Sequence, residues 1–513
     1  MTIGGHSVIT WKNHRAAARR RASRKIIKCC LTGTFDRAMI AAPMVEMSIH
    51  GHSTTKPTPP TRDDRMPDTA ARKPTRVRFL MLFLVFVGTV VNYVDRANLS
   101  VAAPLLKHEF GLDPVAIGVL FSAYSWTYVL ANLPGGWVVD RFGSRAMYAL
   151  ALLIWSSFTF LQGFAGRFAT LFGLRLGVGI AEAPTFPINN RVVSIWFAQR
   201  ERGSATSVYL VGQYIGMAAL TPALFWIAGT FGWRAIFFAT GLVGIVWAGI
   251  WYLLYRDPEQ CRWVNQAELD HIRRGGAVVE TGKPARGEPF PWRKLAIVFS
   301  NRQIVAICAG KFASLSSLYF FLTWFPSYLI SERHMTVLKA GGVASVPFVA
   351  ASIGVLAGGA LSDWLLRRGA SVGTARKTPI ITGLLLVPTM TLTVLTDTNW
   401  IVIAIMSFAF FAQGVASASW SLIGDIAPRS MLGITGGAVN FVGNLSGIVT
   451  PIAIGFIVRE TGSFGWALGL ISVFAVIGAL CYTFLLGEVK RIDLDPPERG
   501  GRSPEPLKST VQD

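Results

Sequence analysis

Charged residues are scarce in this chain. They make up 15% of its 513 residues, while hydrophobic residues make up 52% and the mean hydropathy is +0.45. Soluble globular proteins carry about 25% charged residues, so this chain lacks the polar surface that a water-exposed body of its size requires. The composition therefore excludes a soluble enzyme and indicates a membrane protein.

Cysteine and histidine are also few. The seven histidines form no cluster with metal-ligand spacing, and the five cysteines show neither a Cys-x-x-Cys motif nor paired spacing. The sequence likewise lacks a Ser/His/Asp catalytic set and a phosphate-binding glycine loop after a strand. We therefore expect no disulfide framework, no metal, no cofactor and no catalytic residues.

Much of the positive charge is concentrated in an N-terminal tail. The net charge of the chain is +21, and residues 1–78 hold 16 Lys/Arg against 5 Asp/Glu, a net charge of +11. No apolar stretch in this segment is long enough to span a bilayer, so we interpret it as disordered and expect no nucleic-acid partner. The apolar region after Arg21 is too short for a good twin-arginine export signal. A start of translation at Met47 or Met66 is the alternative, in which part of the tail is never made.

Roughly twelve apolar segments lie between residues 79 and 487, each about 20 residues long, which is the length that crosses a bilayer as a helix. They begin near residues 79, 115, 146, 168, 203 and 234, and again near 300, 337, 378, 400, 432 and 464. A polar stretch separates the two sets of six. We predict an all-α polytopic membrane protein with an N-terminal half (79–255), a linker (256–298), a C-terminal half (299–488) and a disordered tail (489–513).

The distribution of Lys and Arg predicts the orientation of these spans. Basic residues are frequent in the N-terminal tail, in the loops that contain Arg141, Arg200 and Arg376, in the linker and after the last span, which alternating spans place on one side. Basic segments resist translocation, so this side is predicted to be cytoplasmic. Both termini would then be cytoplasmic, in a bacterial inner membrane.

The two halves repeat a loop motif and also a glycine-containing helix segment, which comprises residues 211–216 in the fifth span and residues 442–447 in the eleventh. The loop reads Gly-x-x-x-Asp-Arg-x-Gly-x-Arg after the second span, and a degenerate copy follows the eighth span. Its residues are Gly136, Asp140, Arg141 and Arg145 in the first copy, and Asp363 and Arg367 in the second. Two six-span halves in the same order imply a pseudo-twofold axis along the membrane normal and a midplane site between them. This arrangement is typical of a transporter.

This loop resembles the signature of the major facilitator superfamily. Gly136 allows close approach of helices, Asp140 can hold a neighbouring helix end, and Arg141 with Arg145 can anchor at the membrane interface. We expect the six loop residues to act as a conformational gate. A basic turn that only fixes the orientation of the spans is the alternative.

Four charged residues are predicted to lie inside the first half. Asp95 and Arg96 lie in the first span, and Arg175 and Glu182 lie two turns apart in the fourth. Inserting a charged side chain at the centre of a span costs about 2.5–3.5 kcal/mol, so each of the four requires a structural or functional explanation. A buried carboxylate whose affinity for protons depends on a mobile arginine is the simplest proton carrier. Salt bridges that only hold the helices together are the alternative.

Other polar residues are predicted to face the same site. They are Tyr124, Tyr128, Gln213, Lys311, Ser417, Trp420, Asn440 and Asn444. For an aromatic residue alone, anchoring at the membrane interface or filling the core is the alternative. Close helix packing explains the glycines around Gln213 and Asn444 but not the amides, and Lys311 could instead extend to the membrane surface outside the site.

At these residues the resemblance becomes narrower. Residues 92–100, Arg175 with residues 182–187, and residues 320–329 and 443–451 resemble the anion:cation symporter family, and within it the proton-coupled glucarate, galactarate and galactonate transporters. The resemblance implies that Asp95 and Glu182 couple protons. It also implies that a sugar acid is surrounded by Tyr93, Arg96, Tyr128, Arg175, Gln213, Ser417, Trp420 and Asn440. Lys311 departs from the family pattern, which has Gln at this position.

Together these observations predict a secondary active transporter, a monomer that imports a small organic anion with protons by alternating access. The expected substrate is a hexarate or hexonate. Lys311 could pair with the second carboxylate of a dianion, or it could select an unrelated carboxylate. Uptake of a simpler carboxylate such as phthalate or tartrate is therefore one alternative, and a membrane sensor without net transport is another.

Overall fold

The computed structural model describes residues 73–277, 298–417, 420–427 and 432–492, which all lie in one compact unit. The predicted disordered tails lie outside these residues, apart from residues 73–78 and 489–492. Almost everything described is helical. The helices are α1 (Val77–Phe110), α2 (Pro114–Phe142), α3 (Ser144–Gln162), α4 (Phe168–Glu182), α5 (Thr185–Trp196), α6 (Arg202–Phe231), α7 (Trp233–Leu254), α8 (Gln266–Arg274), α9 (Arg302–Thr323), α10 (Phe325–Ser331), α11 (Val337–Arg367), α12 (Val372–Leu386), α13 (Asn399–Ala416), α14 (Trp420–Ile426), α15 (Leu432–Thr461) and α16 (Gly465–Leu480).

Within the described part of the chain, eleven helical segments are long and apolar enough to cross a membrane. Two of them include a short non-α helix, the 3-10 helix Val387–Leu395 that continues α12 and the π-helix Cys481–Leu485 that continues α16. The predicted fourth span is not among the eleven, because it is broken into α4 and α5, of 15 and 12 residues. Pro184 lies at the break, and a proline cannot donate the backbone hydrogen bond that would continue α4. The all-helical membrane fold predicted from the sequence is confirmed.

The ninth predicted span begins earlier than expected. The sequence predicts its start near residue 378, whereas α12 begins at Val372, because the side chain of Ser371 accepts a hydrogen bond from the Thr374 backbone and caps the helix. Two basic residues of this helix, Arg376 and Lys377, each have a partner. Arg376 pairs with Asp425 at 3.3 Å, and Lys377 donates to the backbone oxygen of Gly487.

The pattern of helix packing repeats between the halves. In the first half α1 packs on α6, α2 on α4 and α3 on α7. In the second half α9 packs on α15, α11 on α13 and α12 on α16. Each pair in the second half corresponds to the pair six spans earlier, as a pseudo-twofold axis requires.

The linker contains a helix that docks on the first half. The side chain of Glu268 in α8 is fully buried and accepts hydrogen bonds from the Thr75 hydroxyl (2.5 Å) and from the backbone N–H groups of Val77 and Arg78 (3.2 Å each). A carboxylate at the start of α1 satisfies N–H groups that have no partner within the helix. We call the end of the bundle where α8 lies the linker end.

The two halves pack closely at the opposite end. Helix α2 contacts α15, and α6 contacts α11, which are equivalent pairs under the pseudo-twofold. Near the start of α2, a Cβ atom on Gly118 would lie 2.4 Å from the backbone oxygen of Pro451. An ion pair between Asp113 and Arg459 (3.8 Å) crosses between the halves beside this contact. Backbone therefore meets backbone between the halves at this end.

Candidate functional site

A buried ion pair joins two helices of the first half. Arg96 Nε of α1 lies 3.2 Å from Glu182 Oε2 at the end of α4, and the two side chains are 8% and 0% exposed. Charges removed from water are tolerated when they are paired and hydrogen-bonded. The pair thus links a base of the first span to an acid of the fourth.

Three tyrosine rings surround the guanidinium group of Arg96. Its Cζ atom lies 4.8 Å from the ring centroid of Tyr93, 4.7 Å from that of Tyr124 and 5.0 Å from that of Tyr128. Tyr124 and Tyr128 are stacked, with centroids 5.1 Å apart. Cation–π contacts of this kind strengthen when water is excluded. The arginine is therefore stabilised even when it is not paired with a carboxylate.

Asp95 belongs to a different network from its neighbour Arg96. Its carboxylate accepts hydrogen bonds from Trp155 Nε1 (3.1 Å) and from Asn98 Nδ2 (3.2 Å), and Asn98 also donates to the hydroxyl of Thr240 (2.6 Å). Arg175 donates to the backbone oxygen of Asp95 (3.3 Å). Asp95 therefore points toward α3 and α7, whereas Arg96 points toward α4, because consecutive helical residues are rotated by about 100°.

Several polar atoms of this site are buried and have no hydrogen-bond partner among the described residues. They are Arg96 Nη2, Arg175 Nε, Glu182 Oε1 and both polar atoms of the Asn92 amide. Buried polar groups are nearly always satisfied, so such a cluster demands an explanation. These three donors and two acceptors could all contact a polar ligand.

The second half contributes a tyrosine and two amides. Tyr319 of α9 donates to Asn444 Oδ1 (3.0 Å), and Asn444 Nδ2 donates to the backbone and side-chain oxygens of Asn440 (2.8 and 3.0 Å). The aliphatic stem of Lys311 packs against Gly443 and leaves the side chain buried. Asn440, Asn444 and Lys311 are therefore grouped where α9 meets α15.

The two halves meet beside these residues. Gly447 packs against Ser125 of α2 and the ring of Tyr319, and there is no room for a side chain at this position. The structure thus brings the polar groups of α1, α2 and α4 close to those of α9 and α15.

Other residues predicted for the site do not join these hydrogen-bond networks. Gln213 is half-buried on α6, and the neighbouring Tyr214 hydroxyl bonds to Gln413 across the halves (3.5 Å). Ser417 donates to the backbone oxygen of Gly414 (2.7 Å), which is a local contact at the end of α13. The side chain of Trp420 lies outside the described part of the structure.

The predicted gate loop is described only in part. The side chains of Gly136, Asp140 and Arg141 lie outside the description, and Asp363 and Arg367 are exposed at the end of α11. Arg145 donates to the backbone oxygen of Tyr252 (3.0 Å). The gating role therefore stays a prediction.

Sequence reasoning missed several residues of these networks. Asn98 follows Asp95 by three residues and Tyr319 follows Lys311 by eight, so helical spacing could have indicated both. Trp155 could not have been found, because a tryptophan in an apolar span is equally well explained by core packing. The residues Trp155, Asn98, Thr240, Tyr319 and Gln413 are the additions that the structure makes.

Comparison with known proteins gives consistent results. Residues 85–451 match the model of the Major Facilitator Superfamily. The chain is 45% identical over 425 residues to a D-galactonate transporter of Escherichia coli, covering 82% of this chain and 98% of that protein. It is 42% identical over 438 residues to a probable galactarate/D-glucarate transporter of the same species, covering 83% and 97%.

A solved structure shares the fold. The crystal structure of a bacterial homolog of the human lysosomal transporter Spinster, inward-facing and unoccupied, aligns with a TM-score of 0.61 at 20% identity, covering 80% of this chain and 97% of that one. At this level of identity the likeness concerns the arrangement of helices alone.

Proposed function

This chain belongs to the major facilitator superfamily, and from that premise we propose that it imports a sugar-acid anion together with protons. The relatives named above carry galactonate, or galactarate and glucarate, across the membrane, and the same substrate class suits this chain. The chain is a multi-pass inner-membrane transporter and not an enzyme.

The observation that carries the proposal is the buried pair of Arg96 and Glu182 beside the contact between the halves. An arginine there can bind a substrate carboxylate in bidentate fashion, provided that its present partner releases it. A proton on Glu182 would neutralise the carboxylate and weaken the pair. Substrate binding and proton binding then both depend on the same ion pair, which is the requirement for symport.

The polyol chain of a sugar acid would be recognised by the surrounding amides and phenols. Asn92, Asn440 and Asn444 present amide groups, and Tyr128 presents a hydroxyl beside Arg96. Each substrate hydroxyl left unpaired in a dry site would cost about 1–3 kcal/mol, so a polyol requires such partners. Gln213, Ser417 and Trp420 complete the proposed set of substrate-binding residues.

Lys311 is the feature that favours a dianion. It lies in the second half, whereas Arg96 and Arg175 lie in the first, so cations flank the site from both sides. A hexarate could bind one arginine and the lysine with its two carboxylates. A hexonate would engage only one of these cations.

Movement of the halves would expose the site to each side in turn. We propose that residues 79–255 and 299–488 rock as two bodies about the site, joined by the linker, in a monomer whose linker end is cytoplasmic. Asp95, held by Trp155 and Asn98, is the second proton carrier.

Uptake into proteoliposomes tests the proposal. Labelled galactarate, glucarate and galactonate should each be concentrated when the outside is acidic, and none should be concentrated without a proton gradient. Unlabelled phthalate and tartrate serve as competitors. If none of the three labelled sugar acids accumulates under the gradient, the assigned substrate class is contradicted. Equal accumulation with and without the gradient would contradict symport.

A further inference from the structure

A cavity with a cationic lining lies at the linker end, outside the proposed transport site. Its volume is about 370 Å³. It is formed where α3 begins, where α7 ends and where the linker continues from α7. The lining residues are Arg145, Leu253, Arg256, Gln260, Cys261, Arg262 and Trp263. Among the described residues, the lining thus includes three arginines and no carboxylate.

The three arginines have no ion pair among the described residues. Arg145 donates to the backbone oxygen of Tyr252 (3.0 Å), and Arg256 donates to those of Tyr252 (2.9 Å) and Tyr255 (2.7 Å). A guanidinium group carries five N–H donors, so these bonds leave most donors available. Arg262 is exposed.

The two acidic residues of the linker next to Gln260, Asp257 and Glu259, are engaged elsewhere. Glu259 pairs with Arg273 at 2.9 Å, and Asp257 accepts a hydrogen bond from the Tyr255 hydroxyl (3.0 Å). The positive charge of the lining is therefore not neutralised by these neighbours. Three arginines around one cavity are suited to a phosphate group, which they can bind in bidentate fashion.

An exposed apolar stripe leads along α7 to this cavity. Leu242, Val246 and Leu253 are 55%, 54% and 68% exposed, and their spacing of four and seven residues places them on one helix face. Leu253 also lines the cavity, and Trp263 at its rim is half exposed. A tryptophan beside a membrane-spanning helix is typical of the headgroup region of a bilayer.

We propose that this cavity binds the phosphate headgroup of an anionic phospholipid, whose acyl chains lie along the α7 stripe. A ligand with both an anionic head and apolar tails satisfies the arginines and the stripe together, whereas inorganic phosphate satisfies only the arginines. Basic pockets between membrane helices are known to accommodate such headgroups. Occupancy would join the start of α3, the end of α7 and the linker around one molecule.

Lipid binding to the purified full-length protein tests this inference. Phosphatidylglycerol, phosphatidylethanolamine and inorganic phosphate are titrated separately, with lipid adducts counted by native mass spectrometry and Tm recorded. The cavity variant is Arg256→Gln with Arg262→Gln. The control, Arg274→Gln with Lys490→Gln, removes two positive charges from exposed sites that do not line the cavity.

Phosphatidylglycerol should raise Tm and bind the cavity variant about tenfold more weakly or worse, while the control keeps normal affinity. Phosphatidylethanolamine and inorganic phosphate should have little effect. If phosphatidylglycerol binding weakened equally in the cavity variant and the control, the proposed site would be contradicted. Equal binding of phosphatidylglycerol and phosphatidylethanolamine would contradict it as well. An equal response to inorganic phosphate would reduce the cavity to a small-anion site and overturn the lipid assignment.

A second measurement does not depend on the folding of the arginine variants. Cys261 lines the cavity, so in a chain whose other cysteines are replaced by serine, phosphatidylglycerol should slow its modification by a small thiol reagent. Phosphatidylethanolamine at the same concentration should not. Equal rates with the two lipids would also overturn the proposal.

Discussion

Glu182 at the end of α4 forms an ion pair with Arg96 of α1. It does not pair with Arg175, which lies two turns earlier on the same helix as Glu182. Arg175 instead donates to the backbone of Asp95. The contact that would have to break during transport therefore lies between α1 and α4. Its energy depends on how these two helices approach each other, so helix movement and proton binding can be coupled through it.

Replacing Glu182 by Gln should separate substrate binding from proton coupling. The amide resembles the protonated acid in size and releases Arg96 from its ion pair. We expect retained binding and substrate exchange across vesicles, with loss of proton-driven accumulation. Radiolabel exchange and uptake, measured in parallel on the same vesicles, check both expectations.

The matched control is Glu109→Gln, which removes an exposed carboxylate of the same helix as Arg96 that pairs with Arg234 at 2.7 Å. This variant should still concentrate substrate. If Glu182→Gln also concentrated substrate in response to pH, the coupling role would pass to Asp95.

Lys311→Gln should alter selectivity and leave folding intact. Loss of a charged hydrogen bond to a second carboxylate should weaken binding of a dicarboxylate by about 1.5–3 kcal/mol and spare a monocarboxylate. Competition of galactarate and galactonate for uptake measures the difference. Lys339→Gln, an exposed lysine of the same half, serves as control. An identical loss for both substrates would show that Lys311 does not meet the second carboxylate.

The N-terminal 65 residues should be dispensable, whereas Thr75 and Glu268 should not. A chain that starts at Met66 keeps the hydrogen bonds between residues 75–78 and the buried Glu268. Uptake and Tm should therefore stay near those of the full chain. Glu268→Ala removes the acceptor of these bonds and should lower the free energy of unfolding by about 1.5–3 kcal/mol.

Gln266→Ala is the control for this loss, since it changes an exposed side chain of the same helix whose hydrogen bond runs only to Asp270. Thermal unfolding of the four proteins in detergent decides the outcome. A large drop in Tm for the Met66 chain, or none for Glu268→Ala, would contradict this account of the docked linker.

Gly118→Ala should hinder closure of the halves at the end opposite the linker. The added Cβ would lie 2.4 Å from the Pro451 oxygen, and overpacking of this kind costs about 1–3 kcal/mol. Uptake should fall. Ser125 is buried at this contact between the halves. A cysteine at position 125 should react faster with a thiol reagent added from the side of the membrane opposite the linker end.

Gly173→Ala is the matched control, because nothing lies within 4 Å of a Cβ at that helical position. Its uptake should be close to that of the unchanged protein. Full activity of Gly118→Ala, with no change in labelling at position 125, would mean that the halves do not close between α2 and α15 as the structure indicates.

The apolar segments are determined by the sequence alone. A run of about 20 apolar residues must form a helix in a bilayer, because every backbone polar group has to be satisfied within the segment. Eleven of the predicted starts lie within two residues of a helix start, and the ninth differs because a single serine cap decided it. The identity of the buried charges also followed from sequence, since Asp95, Arg96, Arg175 and Glu182 stand in spans where charge is expensive.

The partners of those charges were decided only by tertiary structure. Helical spacing gives the direction of a side chain along its own helix, but the rotation and depth of each helix follow from packing against its neighbours. For this reason the sequence could not show that Asp95 binds Trp155 whereas Arg96 binds Glu182. It likewise could not show that a polar linker would bury Glu268 at the start of α1. That burial is stabilised by hydrogen bonds from backbone N–H groups 190 residues away in the chain, which no local pattern connects to Glu268.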